Sequence, residues 1–278
     1  MPLASGQLDE IAVGVRRLVA RNPGVMTGPG TNTYLIGAGP YLVIDPGPED
    51  AVHIDRIVAE TQGRIEAILA THTHPDHSPA AGALAKRTGA IVLGRPAPHD
   101  GRQDAGFAPA RTLADGDVVR IAAQSLRAVH TPGHASNHLC FLLEGLLFTG
   151  DHLMQGSTVV IGPPDGNMNQ YLHSLERLQH EPVTRIAPGH GEVIEDAQGE
   201  IARVIAHRLK REAKVVERLR AAGRASVDGL VASVYDDVDP RLHPVAKSSL
   251  LAHLIKLEED GRAARDAATA TATWWLTG

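Results

Sequence analysis

Apolar residues recur along this chain in two spacings. Continuous runs of strand length, Tyr41-Leu42-Val43-Ile44, Ile65-Glu66-Ala67-Ile68-Leu69-Ala70 and Leu139-Cys140-Phe141-Leu142-Leu143, have the composition of strands covered on both faces. Between them, Val52, Ile54, Ile57 and Val58 within Pro48 to Thr61, and Ala81, Leu84 and Ala85 within Pro79 to Thr88, return at helical intervals and predict amphipathic helices lying on a sheet. The segment Gly14 to Ile44 predicts strands separated by Arg21 to Gly30, a run of turn formers long enough to arch over a cleft. Ile91-Val92-Leu93, Val118 to Ile121 and Leu126 to His130 predict further strands, and Leu139 to Phe148 a hairpin turning at Glu144-Gly145. Asn169 to Leu178 has Leu172, Leu175 and Leu178 on one helical face.

The pattern changes after Ile194. A helix over Ile201 to Ala222, a second over Ser226 to Tyr235, a loop to Pro244, a third over Val245 to Asp260 and a β-rich hairpin from Gly261 onward compose a small winged-helix module. The expected division is 1–200 for one domain and 201–278 for the other.

Chemistry gathers at the ends of the strands. Thr71-His72-Thr73-His74-Pro75-Asp76-His77 follows the Ile65 run and supplies three imidazoles and a carboxylate within six residues. Imidazole and carboxylate are borderline donors that suit zinc, and also iron or manganese. In an extended segment His72 and His74 share a side, while Asp76 and His77 follow a Pro-initiated turn and reach a neighbouring position, so two adjacent metals are expected. His-rich turns also occur on solvated loops. Against that, three more strand ends each deliver one candidate ligand next to a Gly: His134 in Thr131-Pro132-Gly133-His134, Asp151 in Phe148-Thr149-Gly150-Asp151, and His190 in Ala187-Pro188-Gly189-His190.

The order His-x-His-x-Asp-His, followed by His, Asp and His on later strand ends, resembles the metallo-β-lactamase superfamily over nearly the whole chain. The resemblance implies a four-layer αββα sandwich. It implies that His72, His74 and His134 hold one metal, that Asp76, His77 and His190 hold the other, and that Asp151 bridges them. It also implies that Asp45, at the end of the Tyr41 strand, supports the ligands from behind without touching metal. Asn-Pro-Gly at 22–24 and Gly-Thr-Asn-Thr-Tyr-Leu at 30–35, with Val234-Tyr235, Leu242-His243-Pro244 and Ala252-His253-Leu254, resemble a subgroup that includes the mitochondrial lactamase-like endoribonuclease and fungal polyketide thioesterases. The implied reaction is hydrolysis without a covalent intermediate: two cations lower the pKa of a shared water and polarise the bond under attack, and Asp76 orients that water. Tyr171 is a candidate oxyanion donor, and Asn32 and His173 are candidate substrate contacts. His138 and His152 lie near ligands but are read as structural, and His99 as a surface residue.

Composition narrows the substrate only a little. Among 278 residues, aromatics are 3% and the formal net charge is −5, which argues against a surface devoted to stacking on nucleic acid or attracting polyanions. Residues 203–224, however, hold eight Lys or Arg against two Glu; such a run is usually a solvated face but would suit a phosphate-bearing substrate beside the cleft. The third helix of the winged-helix module carries Glu258, Glu259 and Asp260 against Lys247 and Lys256, so sequence-specific DNA binding is not expected and a wall or lid for the active site is. Three classes of function follow: hydrolysis of a small ester or thioester, cleavage of single-stranded RNA, or a nucleic-acid-binding regulator with a structural metal. The single cysteine, Cys140, sits in an apolar run and has no partner for a disulfide. No apolar stretch reaches membrane-spanning length and the N-terminus has neither the basic start nor the apolar run of a signal peptide, so a cytoplasmic protein with no membrane partner is expected. Oligomeric state leaves no mark on the sequence.

Overall fold

The computed structural model describes residues 3–121, 124–267, 269 and 271–278. A seven-stranded sheet runs in chain order from β1 (Leu8–Ala12), β2 (Val15–Val19), β3 (Asn32–Ile36) and β4 (Tyr41–Ile44) to β5 (Ile65–Leu69), β6 (Ile91–Gly94) and β7 (Arg111–Thr112). The first four strands pair antiparallel and β4 to β7 pair parallel. Parallel neighbours need a crossover, supplied by α1 (Ala51–Thr61) between β4 and β5 and α2 (Ala80–Thr88) between β5 and β6. Asp50 starts α1 by accepting the amide of Val52.

The second sheet is ordered β12-β11-β10-β9-β8, from β8 (Val118–Ile121), β9 (Gln124–His130), β10 (Leu139–Leu143), β11 (Leu146–Gly150) and β12 (Arg185–Pro188). The β10–β11 hairpin turns at Glu144 and Gly145, both at positive φ, as a tight two-residue turn requires. Strand alternation then sorts the core into layers. Leu139, Phe141 and Leu143 meet Ala67, Leu69 and Phe148 between the two sheets. Cys140 and Leu142 face α3 (Met168–Leu178) and the start of α4 (Ala197–Ala222) on one outside, and Ile68 and Ala70 face α1 and α2 on the other. The αββα sandwich is therefore the direct result of apolar runs buried on both faces.

The C-terminal region adds β13 (Ala225–Ser226), α5 (Val227–Val234), a 3-10 turn at Pro240–Leu242, α6 (His243–Glu259), β14 (Ala263–Arg265) and β15 (Thr273–Leu276), with Trp274 fully buried at its centre. Residues 268 and 270, at the tip of the expected hairpin, lie outside the described residues. The expected division at 200/201 falls inside α4. Ala197, Ile201 and Val204 pack in the sandwich, whereas Val215 and Leu219 pack with α5, α6 and Trp274. One helix thus belongs to two cores. β1 was not foreseen; its half-buried Leu8-Asp9-Glu10-Ile11-Ala12 pattern is that of an edge strand. Among the described residues no helix is long and apolar enough to cross a membrane.

Candidate metal centre

The seven expected ligands come together at one edge of the sandwich, where β5, β9, β11 and β12 end. Donor atoms of His72, His74, His134 and Asp151 form one group and those of Asp76, His77 and His190 a second, each with its atoms within 4.8 Å of one another. In the first group His74 Nδ1 lies 2.9 Å from His72 Nε2 and 2.9 Å from His134 Nε2. In the second, His190 Nε2 lies 3.2 Å from Asp76 Oδ2 and 3.2 Å from Asp151 Oδ1, and His77 Nε2 lies 3.3 Å from Asp151 Oδ1. The other oxygen of Asp151 is 3.7 Å from His134 Nε2, so this carboxylate presents one oxygen to each group.

Except at His74, what turns these nitrogens inward is a bond made on the far side of the ring. His77 Nδ1 donates to Asp45 Oδ2 at 2.9 Å, His134 Nδ1 to the carbonyl of Val160 at 2.8 Å, and His190 Nδ1 to the carbonyl of Gly30 at 3.2 Å. His72 Nδ1 meets Thr71 Oγ1 at 3.0 Å. At His72 and His134 the hydrogen is committed outward and the Nε2 lone pair faces the centre; at His77 and His190 the same outward bonds leave Nε2 as the atom where a cation would replace a proton. His74 can offer its Nδ1 proton to only one of the two nitrogens beside it, and the inward atoms His77 Nε2 and Asp151 Oδ1 are buried without a hydrogen-bond partner. Lone pairs converging on a point without hydrogens to share fit a cation.

Electrostatics separates the two groups. Burial keeps His72 well below its ordinary pKa and takes His74 down to about 3, so both are neutral donors. Burial also opposes charge on His77 and His190, but facing carboxylates win: Asp76 and Asp151 hold His77 well above 6.5, and Asp151 and Asp76 carry His190 to about 9. Burial works against Asp76 in turn, yet His77 and His190 hold it well below the ordinary carboxylate range. A dication in the second group therefore competes with protons, whereas one in the first does not.

Asp45 lies at the end of β4, behind His77. Its two oxygens accept from the Thr71 amide at 2.7 Å, Thr71 Oγ1 at 2.8 Å and His77 Nδ1, without reaching the ligand cluster itself. The glycines have a steric reason. A Cβ on Gly133 would lie 2.3 Å from the Tyr171 Cα, and one on Gly189 would lie 2.8 Å from Asp151 Oδ1 and from His77 Cε1.

Three expected site residues are placed elsewhere. Tyr171 is turned away from the cluster: its ring is buried in the layer between sheet and helices, and its hydroxyl donates to the His152 carbonyl at 2.8 Å. The helical period that buries Leu172 and Leu175 buries Tyr171 with them. Asn32 is fully buried and braces the His190 loop, its Nδ2 donating to the carbonyls of Pro188 and Gly191, both at 2.9 Å. His173 is on the exposed side of α3 and does not line the cleft.

The cluster opens into a cleft of about 590 Å³. Val25 and Met26 of the long loop overhang it, and Arg208 and Arg211 of the basic run, with Tyr235 and Ser249, close its far side. These come from α4, α5's C-terminal end and α6, so the winged-helix region is a wall of the cleft. α6 is fixed there by Ser249 Oγ, which accepts the Ile161 amide at 3.2 Å, and by Glu259, which accepts from Asn167 and Asn169. About half of the basic stretch is paired in place: Arg203 with Glu200, Arg211 with Asp237, Lys214 with Asp236 and, beyond α4, Arg224 with Asp266.

Residues 26–190 match the family model of the metallo-beta-lactamase superfamily, and residues 226–274 that of the beta-lactamase associated winged helix domain. The chain belongs to the metallo-β-lactamase superfamily. It is a hydrolase of that superfamily, and relatives resemble it from end to end. An atrochrysone carboxyl ACP thioesterase of Aspergillus chevalieri is 33% identical over 288 residues, covering 98% of this chain and 89% of its own. A beta-lactamase-like protein 2 homolog of Drosophila melanogaster is 32% identical over 273 residues, covering 92% and 91%. The crystal structure of a beta-lactamase domain protein from Burkholderia ambifaria superposes with a TM-score of 0.84 at 23% identity, over 100% of this chain and 95% of that one, and so shares the fold.

Proposed function

We propose that this metallo-β-lactamase superfamily member is a dinuclear zinc hydrolase of small acyl thioesters. The observation that carries the proposal is the joining of both ligand groups to one cleft of about 590 Å³, within the range of small-molecule sites and walled by the winged-helix region. His72, His74 and His134 would hold one cation, Asp76, His77 and His190 the other, with Asp151 between them; nitrogen and carboxylate donors favour zinc, with iron or manganese next. Bound there, the pair supplies Lewis acidity and a water ionised near neutrality.

The chain's own groups do the rest. Asp76 lines the cleft and stays ionised, so it can accept a hydrogen bond from the attacking water and orient it. Asp45 and the carbonyls of Val160 and Gly30 keep the imidazoles aimed inward throughout. The phenol expected as an oxyanion donor, Tyr171, donates instead to the His152 carbonyl, so that role would fall to the cations; a thiolate, unlike an amide nitrogen, departs without a proton donor. Names of end-to-end relatives support the same substrate class.

The endoribonuclease alternative is less favoured because about half of the cations of α4 that would track phosphates are engaged by neighbouring carboxylates. The regulator alternative needs the face of α6 that here packs on the sandwich. A cytoplasmic setting is part of the proposal: Cys140 is a buried free thiol, and no oxidising compartment is needed to mature it.

The test is to load the protein with zinc and assay octanoyl-N-acetylcysteamine, single-stranded RNA, a lactone and a β-lactam, each beside His134→Ala. Thioester hydrolysis abolished by chelation and by the substitution, and nearly indifferent to salt, is the expected result. RNA cleavage that falls steeply with salt, with no thioesterase activity, would overturn the assignment.

A further inference from the structure

The far wall of the cleft holds polar groups that nothing in the protein satisfies. Arg208 is 3% exposed, yet among the described residues no carboxylate lies within 4.0 Å of its guanidinium, unlike its neighbour Arg211, which pairs with Asp237 at 2.7 Å. One Arg208 nitrogen, Nη2, donates to the Val159 carbonyl, and the group lies over the ring of Tyr171, 5.2 Å from its centroid. Its Nε is buried with no acceptor. The hydroxyl of Tyr235 is likewise buried without a partner, on a ring 7% exposed and capped by Arg211 at 4.3 Å from the centroid. Arg208 and Tyr235 both line the cleft that contains Asp76 and His134. Native interiors rarely leave a guanidinium N–H and a phenol unpaired, and both are donors in want of an acceptor.

Resting on the thioesterase assignment, we propose that Arg208 and Tyr235 form a subsite for a carboxylate, so that the preferred acyl groups carry a carboxylate at the end remote from the scissile bond. The charge count selects a monoanion. Arg208 contributes one uncompensated positive charge, Arg211 is already balanced by Asp237, and His207 is kept neutral by burial and by both arginines. A phosphate dianion would find too little charge there. Asp165, a carboxylate on the cleft, is held by Gln103 Nε2 at 2.8 Å and the Ser136 amide at 2.9 Å, so its charge is already engaged by donors of its own wall.

The chain also sets the span. Val159 receives Arg208 and the next residue, Val160, receives His134, so one short segment ties the subsite to the metal centre. With 3.8 Å between consecutive Cα atoms, that holds the guanidinium within roughly 10 Å of the His134 ring, inside the reach of a medium-length acyl chain.

The experiment measures binding, which separates this inference from the reaction. Two non-hydrolysable thioethers, S-octyl-N-acetylcysteamine and its ω-carboxy analogue of equal chain length, are titrated calorimetrically into the zinc-loaded protein, Arg208→Gln and Tyr235→Phe. Wild type is expected to bind the carboxy ligand at least ~10-fold more tightly than the alkyl one, and the preference to shrink in both variants. Tyr235→Phe conserves volume, so it remains informative if Arg208→Gln fails to fold. Equal affinity for the two ligands in wild type, or a preference unchanged in Tyr235→Phe and in any folded Arg208→Gln, would overturn the subsite. Failure of the protein to hydrolyse the matching thioesters, with the binding preference intact, would instead remove the thioesterase assignment and leave the carboxylate subsite standing.

Discussion

Replacing Asp45 by Asn tests whether the bonds behind the ligands matter as much as the ligands. Asp45 accepts three hydrogen bonds, from the Thr71 amide at 2.7 Å, Thr71 Oγ1 at 2.8 Å and His77 Nδ1 at 2.9 Å. An Asn of the same shape can keep its oxygen on the Thr71 amide, but its NH2 then faces the Nδ1–H of His77. Two donors cannot share that 2.9 Å gap. His77 must move its proton to Nε2, which removes the lone pair the second cation needs. Losing such an orienting partner weakens metal affinity by ~10–100-fold, about 1.4–2.7 kcal/mol. The mismatched buried donors add a stability loss of about 1–3 kcal/mol. A competition titration with a chromophoric chelator resolves two stepwise constants. The second cation should weaken selectively, whereas Thr71→Val, which removes the hydroxyl at His72 Nδ1, should weaken the first. If Asp45→Asn bound both cations as wild type does, the orienting role would be wrong.

Three further outcomes follow from the same geometry. Tyr171→Phe should lower stability by about 1 kcal/mol in thermal melts while kcat/KM stays near wild type; a loss of ~100-fold would return Tyr171 to the oxyanion role. Asp151→Asn, which removes an oxygen anion shared by both ligand groups, should cost activity beyond the ~100-fold upper end for supporting residues, checked by steady-state kinetics with metal content measured alongside. Metal affinity should separate with pH. His190 in the second group holds its proton up to about 9, so the affinity of that group should climb as pH rises toward 9, by up to ~10-fold per pH unit for each displaced proton. That of the first group, whose His74 loses its proton near pH 3, should stay nearly flat over the same window; equal slopes in pH-dependent chelator titrations would contradict the split.

The ligand set was legible because its signal is local. Four donors crowd into His72 to His77 directly after an apolar run, the other three each sit beside a glycine at a later strand end, and the chemistry of His and Asp at strand ends admits few alternatives. The sandwich was legible for a related reason: runs such as Leu139 to Leu143 must be covered on both faces, and two such sheets have few ways to satisfy that need. What sequence could not show was facing and distance. Tyr171 differs from a cleft residue only by where α3 rotates, and Gly133 pins that rotation by backbone contact with Tyr171 itself. Asn32 was a polar residue near the right strand; that it clamps the His190 loop depends on β12, more than 150 residues away along the chain. Arg208 and Tyr235 reach the cleft only because α4 carries the winged-helix region back against the sandwich. The trace of Arg208 was a surplus of charge, which gave no hint that about half of it would be paired at home and that one buried guanidinium would be left on the cleft.

The long helix that serves both cores has a consequence for how this enzyme could be taken apart. Cutting the chain at 200/201, where its composition changes, would strip Ile201 and Val204 from the sandwich and deprive Val215 and Leu219 of their continuous support. Neither fragment would be a natural unit, so the two regions should melt in a single transition. Their shared spine also leaves no break in the helix at that crossing, so the wall α4 gives the cleft is set in place when the protein folds.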